Sequence, residues 1–416
     1  MLLFLGLLII ILGTANMIRW AFLMVAADLH DLQVVKRPKR PNWKPAITII
    51  IPAYNEELGI VRCLESLAAN SYSRKEIMVV NDGSTDRTSQ KVRNWQRTHR
   101  SVAVRLINQP NGGKASAINN GIKKAKGSLI MVLDADSILA PNALEEVPKY
   151  FTDPRVVLMS ANVKVIDDGR ILSLVQKYEY LISYRLKKAL MFYNMEYIVG
   201  GVGSTFRKSM AKSVGSYDTD TMTEDIDFTL KILKKGNIKH RLAYAPSVIA
   251  YTEGVMTLRD LIKQRYRWKY GRMQTFVKNR ELFFNRHSRY DKRLTHYQLP
   301  YAVLSEVLFS LEPLLIGYFL LIVLLYHDTY SLISAYTVTT GYIIWNIVTD
   351  ESESRRSKTR LVFLSIFQYP LLLIMSVVEY CALVKSARRL HQLRSTQSHG
   401  AWEHVARSGK SMTTRA

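Results

Sequence analysis

The chain has 416 residues, a formal net charge of +24 and 48% apolar residues. That length accommodates a sizeable domain and something more. Two distant cysteines, Cys63 and Cys381, exclude a disulfide framework. The basic excess forms no stripe interleaved with stacking aromatics, which argues against a nucleic-acid partner.

Residues 1–18 carry no charge, and after Arg19 the apolar run resumes as "WAFLMVAA". A spanning helix needs roughly 20 mostly apolar residues, and no basic n-region of the signal-peptide kind precedes this one. Residues 1–28 are therefore expected to form a transmembrane anchor. The cluster "KRPKR" at 36–40 then places the following domain in the cytoplasm, because Lys and Arg favour that side.

From residue 46 the pattern alternates. "AITIIIPAYN" is a continuous apolar run, as in a strand buried on both faces. "EELGIVRCLESLAAN" has helical spacing at Ile60, Cys63, Leu64 and Leu67. A second strand "KEIMVVNDGS", a polar helix over 86–98, a strand "VAVRLIN", a helix "KASAINNGIKKAKG" and a strand "SLIMVLDAD" follow. Such alternation predicts an α/β domain over residues 45–290, Rossmann-like, with a mostly parallel sheet between helices. Its second half, 151–290, is less regular, with a long helix near 257–280.

Three apolar runs, 299–326, 331–348 and 361–384, predict transmembrane or interfacial helices over 299–385, followed by a basic tail, 386–416. Taken as single spans they put that basic tail outside, against the charge rule, unless one segment is re-entrant or interfacial. Glu306 and Glu312, with Pro313, interrupt the first run. Two readings stay open: a polar pathway through the membrane, or an interfacial amphipathic helix with both glutamates among headgroups.

Ligands of parallel α/β sheets bind beyond the carboxyl ends of the strands. Three polar clusters fall there: Tyr54-Asn55-Glu56, Asn81-Asp82-Gly83-Ser84 and Asp134-Ala135-Asp136. Any one could simply begin a loop or cap a helix; three on one edge suggest a site. If the strand stays extended, Asp134 and Asp136 point the same way, and two hard carboxylates suit Mg²⁺ or Mn²⁺. A calcium loop is excluded because its sixth position is Leu139, where glycine is needed. Gly112, Gly113 and Lys114 open a helix without P-loop spacing; Lys114 is either a diphosphate contact at a helix N-terminus or a solvated lysine. Glu224 and Asp225 open another helix, where an acidic pair is ordinarily dipole complementation. Gln264, Arg267 and Trp268 share a helix face. That face suits a phosphate and a sugar ring, or equally a packed tryptophan between solvated polar residues.

Together, "IPAYNE" at 51–56, "VVNDGSTD" at 79–86, "NGGKASAINNGI" at 111–122, "DAD" at 134–136, "TED" at 223–225 and "QRYRW" at 264–268 resemble the processive family 2 glycosyltransferases, in that family's order. Cellulose, chitin, hyaluronan and poly-N-acetylglucosamine synthases are members. "MTEDID" and "KQRYRW" followed by "KYG" look most like the bacterial poly-β-1,6-N-acetylglucosamine synthases, whereas "IVGGVGSTFRK" at 198–208 departs from them. The resemblance implies a cytoplasmic GT-A domain in a multi-pass cell-membrane protein. It implies a UDP-sugar donor, a growing glycan acceptor, the lipid bilayer as surroundings and a Mg²⁺ or Mn²⁺ cofactor, and leaves room for a small membrane accessory subunit.

It also assigns roles. Glu56 and Asp82 contact the uridine, and Lys114 sits near the nucleotide. Asp136 is the main metal ligand, with Asp134 near the ribose or metal. Asp225 is the general base, and Gln264, Arg267 and Trp268 hold the diphosphate and the acceptor end. Ala53, Tyr54, Glu224 and Arg265 complete the expected substrate contacts. Transfer of one sugar to a polyprenyl phosphate is the alternative with the same chemistry. A catalytically dead scaffold would be expected to lose Asp136, Asp225 or Trp268, and all three are present.

Overall fold

A computed structural model of the chain describes residues 2–35, 43–327, 329–350 and 353–389. The "KRPKR" cluster and most of the basic tail lie outside these residues.

Helix α1 (Leu2–Val35) outruns the expected anchor. Its polar last turns lie against the later helix α6 (Ile171–Phe192): Asp28 pairs with Arg185 at 2.7 Å and Asp31 with Lys188 at 2.7 Å. The domain then follows as β1 (Ile47–Ala53), α2 (Ile60–Ala68), β2 (Lys75–Asp82), α3 (Thr88–Thr98), β3 (Val104–Gln109), α4 (Lys114–Lys124), β4 (Leu129–Val132), β5 (Ile138–Leu139), α5 (Ala143–Tyr150), β6 (Val156–Val165), α6 (Ile171–Phe192), β7 (Ser204–Arg207), α7 (Lys208–Ser213), α8 (Glu224–Lys234), β8 (Arg241–Thr252) and α9 (Leu258–Lys278). A π-helical turn, Arg293–Gln298, leads into α10 (Leu299–Tyr326), α11 (Thr329–Thr349), α12 (Arg355–Ser365) and α13 (Gln368–Ala387).

The strands form one sheet in the order β3-β2-β1-β4-β7-β6-β8-β5. β1 through β4 are parallel, as their unbroken apolar runs predict. The other half corrects the expectation of a mostly parallel sheet. β7 is antiparallel to both β4 and β6, and β5 is antiparallel to β8. The 22-residue α6 and the segment after it return the chain to the far end of the sheet, so β7 enters reversed between two parallel blocks. Two apolar layers flank the sheet. Ile50, Met78, Val80 and Ile130 face one; Ile47, Ile49, Ile51, Val79 and Met131 face the other. Alternation along each strand produces this division.

The third late run is two helices, not one, because "SRRSKTR" opens α12 and a turn at Ile366–Phe367 separates it from α13. Among the described residues, α13 is the one helix long and apolar enough to cross a membrane. Its C-terminal half lies along α9: Ala382 packs with Tyr266 and Tyr270, and the Arg389 guanidinium donates to Tyr266 Oη at 3.1 Å. Leu373, Ile374, Val377 and Tyr380, on its other face, are exposed. Glu306 does not stand free in an apolar run. It is buried, and it pairs with Lys269 at 2.7 Å and with Arg272, both on α9. Its charge is neutralised by these two cations of α9, so Glu306 itself is an ion-pair partner of the α/β domain. The side chains of Glu312 and Pro313 lie outside the described residues.

Candidate functional site

β2, β1 and β4 are parallel neighbours, so the three polar clusters emerge on one edge, as expected. They are bonded together there. Asn55, at φ 54°, accepts the Thr85 amide on its Oδ1 at 2.8 Å, and its own amide donates to Ser84 Oγ at 3.0 Å. The Glu56 amide donates to Thr88 Oγ1 at 2.8 Å. Ala53 is buried at the strand end, and Tyr54 and Glu56 are half-buried on the loop above it. Gly59 lets α2 approach the next cluster closely, since a Cβ there would sit 2.8 Å from Asp136 Cα.

Asp82 is fully buried and organises the glycine-rich turn. Its carboxylate accepts the amides of Gly112 at 3.0 Å and Gly113 at 2.8 Å, and Gln109 Nε2 at 2.7 Å. Gly83, at φ +76°, has Asn111 N only 2.8 Å from where a Cβ would stand. The turn in this way presents Lys114 at the first position of α4.

Lys114 is not a solvated surface lysine. Its Nζ lies 2.8 Å from Asp134 Oδ1 and 3.4 Å from Glu224 Oε1. Burial alone would lower its pKa, but Asp134, Glu224 and Asp225 hold it above the ordinary lysine value. The sheet edge is thereby joined to the N-terminus of α8.

The two aspartates of "DAD" have different surroundings. β4 ends at Val132, and the Ser137 amide closes a turn onto the Asp134 carbonyl at 3.0 Å. The strand-alternation argument for a shared direction therefore does not apply. Asp134 is half-exposed and bound to Lys114, whereas Asp136 is 4% exposed and accepts from Ser137 Oγ at 3.1 Å. Two hard carboxylate oxygens at this edge are a donor set that fits Mg²⁺ or Mn²⁺. With Asp134 engaged by an ammonium, Asp136 is the carboxylate better placed to ligate. A second acidic group, Asp218, Asp220 and Asp227, is already occupied by Lys278 Nζ, at 2.6, 2.6 and 2.9 Å.

Asp225 sits at the second position of α8, beyond simple dipole complementation. Gly201 N donates to its Oδ2 at 2.9 Å, and Ile226 N to its Oδ1 at 2.9 Å. Burial, then repulsion from Glu224, pushes its pKa up to about 6 against the pull of Lys114. A Cβ added at Gly200 or Gly201 would stand 4.0 or 3.9 Å from Asp225 Oδ2. The sequence patterns do not single them out as site residues, although "GGVG" ahead of a short strand is the visible signal for a close backbone approach.

The α9 motif reaches this region through Gly271. A Cβ there would lie 2.6 Å from Thr223 Cγ2, so α9 runs against the residue that precedes Glu224-Asp225. Gln264, Arg267, Trp268 and Gly271 follow the spacing of one helix face, so the first three share the face that meets α8. Arg265, expected to touch substrate, does not join them. It is 4% exposed, pairs with Glu179 on α6 at 2.6 Å and with Glu379 on α13 at 3.5 Å, and stacks over Trp268. A Gly271→Ala change is expected to force α9 off α8, costing about 1–3 kcal/mol. A thermal-unfolding shift together with a fall in turnover checks it.

Residues 48–215 match the model of "Glycosyl transferase family 2". The chain is 32% identical over 265 residues to a poly-beta-1,6-N-acetyl-D-glucosamine synthase of Staphylococcus aureus, covering 63% of this chain and 62% of that one. It is 30% identical over 235 residues to the Staphylococcus epidermidis synthase of the same name, covering 56% of each. The match thus spans less than two thirds of the length of these curated relatives. A mannosyltransferase from Pyrobaculum calidifontis, solved with GDP-Man and Mn²⁺, superposes with a TM-score of 0.59 at 21% identity, covering 88% of this chain and 95% of that one, and so shares the fold. The sheet, the converging edge and the family match agree over residues 48–215, which are similar to a glycosyl transferase family 2 domain.

Proposed function

We propose that the protein is a membrane-embedded inverting glycosyltransferase that polymerises a β-linked glycan from a UDP-sugar, namely poly-β-1,6-N-acetylglucosamine from UDP-GlcNAc. The single observation that carries this reading is Asp225, a buried carboxylate poised at about 6 and fixed by two backbone amides. It lies between the nucleotide edge of the sheet and the Gln264–Arg267–Trp268 face. The similarity to the staphylococcal synthases supports the sugar and linkage.

In the proposed reaction the acceptor hydroxyl gives its proton to Asp225, and its oxygen bonds to the anomeric carbon. The bond from that carbon to the UDP oxygen breaks, and UDP departs with the electron pair. A positioned base with a pKa near the working pH suits this proton transfer. Glu56 and Asp82 shape the uridine side, Asp82 by fixing the turn that carries Lys114. Arg267 and Gln264 face the diphosphate, and Trp268 the acceptor sugar. Asp136, with Asp134 beside it, would hold a divalent cation, whose chemistry is neutralisation of charge on the leaving diphosphate.

The membrane arrangement follows the helices. α1, α10 and α11 are proposed to cross the bilayer on the strength of their apolar sequence runs, while α13, itself long and apolar enough to cross, is held against α9. α13 lies along α9 with its apolar outer face toward lipid, which keeps Lys385–Arg389 on the side of the catalytic domain. Under this proposal the charge conflict disappears, because a basic segment beside a cytoplasmic domain obeys the positive-inside rule. Export of the polymer by the same chain extends this reading.

A pH profile tests the base. Asp225 is raised above its ordinary value, so it is protonated and inactive below about pH 6 and active above it. The value of kcat/KM is expected to climb through that pH, falling about tenfold per pH unit below it. A profile flat from pH 5 to 7 contradicts the assignment.

A further inference from the structure

α9 has two working faces. Gln264, Arg267, Trp268 and Gly271 form one, turned to α8. Arg265, Lys269 and Arg272 recur at i, i+4 and i+7 and form another. That second face meets a carboxylate from each of three other helices: Glu179 of α6, Glu306 of α10 and Glu379 of α13. Lys269, 5% exposed, bridges two of them, with Nζ 2.7 Å from Glu306 Oε2 and 2.9 Å from Glu379 Oε2. Three cations thus face three carboxylates in a largely buried cluster.

The two faces touch at one point. The Arg265 guanidinium carbon lies 4.4 Å from the centre of the Trp268 ring. Its Nη2 is 2.6 Å from Glu179 and its Nε 3.5 Å from Glu379. The guanidinium donates a hydrogen bond to Glu179 through Nη2 and lies in ion-pair range of Glu379, so carboxylates of two different helices set its position over the indole, with a planar fork that a lysine ammonium lacks. A cation–π contact out of water is stronger than an exposed one. From this geometry we infer that Glu179 and Glu379 are positioning residues, orienting the Trp268 indole through Arg265, so that α6 and α13 set the acceptor end of the site. This rests on the role proposed above for Trp268.

The alternative is that the cluster merely fastens helices together, and buried ion pairs do that without any catalytic consequence. A coupling measurement separates the two. Full-length protein in lipid nanodiscs is compared as wild type, Arg265→Lys, Glu379→Gln and Glu179→Gln, each with and without Trp268→Phe. Subtracting each Trp268→Phe spectrum isolates the fluorescence of Trp268. All three changes are expected to alter its intensity or emission maximum.

With UDP-GlcNAc, each is expected to lower kcat by about ten- to a hundredfold, the scale of a small misplacement. KM for the donor should stay within about twofold, since the nucleotide edge is untouched. In the Trp268→Phe background the further loss should shrink to less than about twofold. Should one variant fail to fold, the remaining two carry the comparison. An unchanged Trp268 spectrum, or equal losses in both backgrounds, overturns the inference. If wild-type protein transfers no sugar, the functional reading fails, while the spectra still decide whether the two carboxylates orient the indole.

Discussion

Replacing Asp225 by asparagine is expected to remove about 10²–10⁴-fold of turnover, the usual contribution of a positioned base. UDP binding should remain within about twofold. The reason is local. The asparagine side chain would keep the shape and accept one of the two backbone amides, while its NH2 faces the other, a loss confined to the start of α8 and away from the nucleotide edge. What disappears is the site that takes the acceptor proton. The neighbouring carboxylates do not substitute for it. Glu224 and Asp134 both bear on Lys114, which neutralises part of their charge. Lys114 itself is held above the ordinary lysine value, so it stays protonated and offers no base. Isothermal titration with UDP, beside a turnover assay, separates the two effects. Retained turnover sinks the base assignment, and lost UDP binding indicates that the nucleotide edge depends on Asp225.

Asp82→Ala is expected to be the most damaging change on the nucleotide side, for a different reason. The buried carboxylate accepts three hydrogens, from Gly112 N, Gly113 N and Gln109 Nε2. Alanine takes away the acceptor of the Gly112 amide and the shorter bonds of the Gly113 amide and Gln109 Nε2, which keep Asn111 Oδ1 and Ser116 Oγ at 3.2 and 3.3 Å. Only the Gly113 amide among them is fully buried, so the destabilisation is about 1–3 kcal/mol. The loss concentrates on the turn that begins α4, so Lys114 loses its fixed position. Thermal unfolding should move down, and donor affinity should fall more than stability alone explains. Asp82→Asn should be milder, because the amide oxygen still accepts. An alanine variant with wild-type stability and donor affinity would contradict this role.

Sequence patterns reveal some of these features and not others. Continuous apolar runs make β1, β2 and β4 visible, and their polar ends place a candidate site on the right edge. β6, with all ten positions buried, is equally apolar in surroundings but contains Ser160, Asn162 and Lys164, which hide it. β7 and β5 are four and two residues long, too short to carry a period. Neither reveals the reversal of β7, which depends on where α6 delivers the chain. The turn at Asp134–Ser137 is hidden for another reason: an apolar run ending in "DAD" looks extended, while one backbone hydrogen bond bends it. Arg265 illustrates the limit most directly. It lies within "QRYRW" beside residues of the site face, yet its carboxylate partners are 86 and 114 residues away in the chain. Only their meeting in three dimensions turns an expected substrate contact into a buried ion pair.

The central claim is that this site adds sugars from a UDP-activated donor to a growing β-linked chain. The most direct measurement is synthesis by the purified protein in lipid nanodiscs supplied with single UDP-sugars. The product is then sized and digested with linkage-specific glycosidases. The account predicts that UDP-GlcNAc alone yields a long polymer cleaved by a β-1,6-N-acetylglucosaminidase, with no polymer from the Asp225→Asn protein. A single sugar on a lipid phosphate, or a polymer made equally well by that variant, would contradict it.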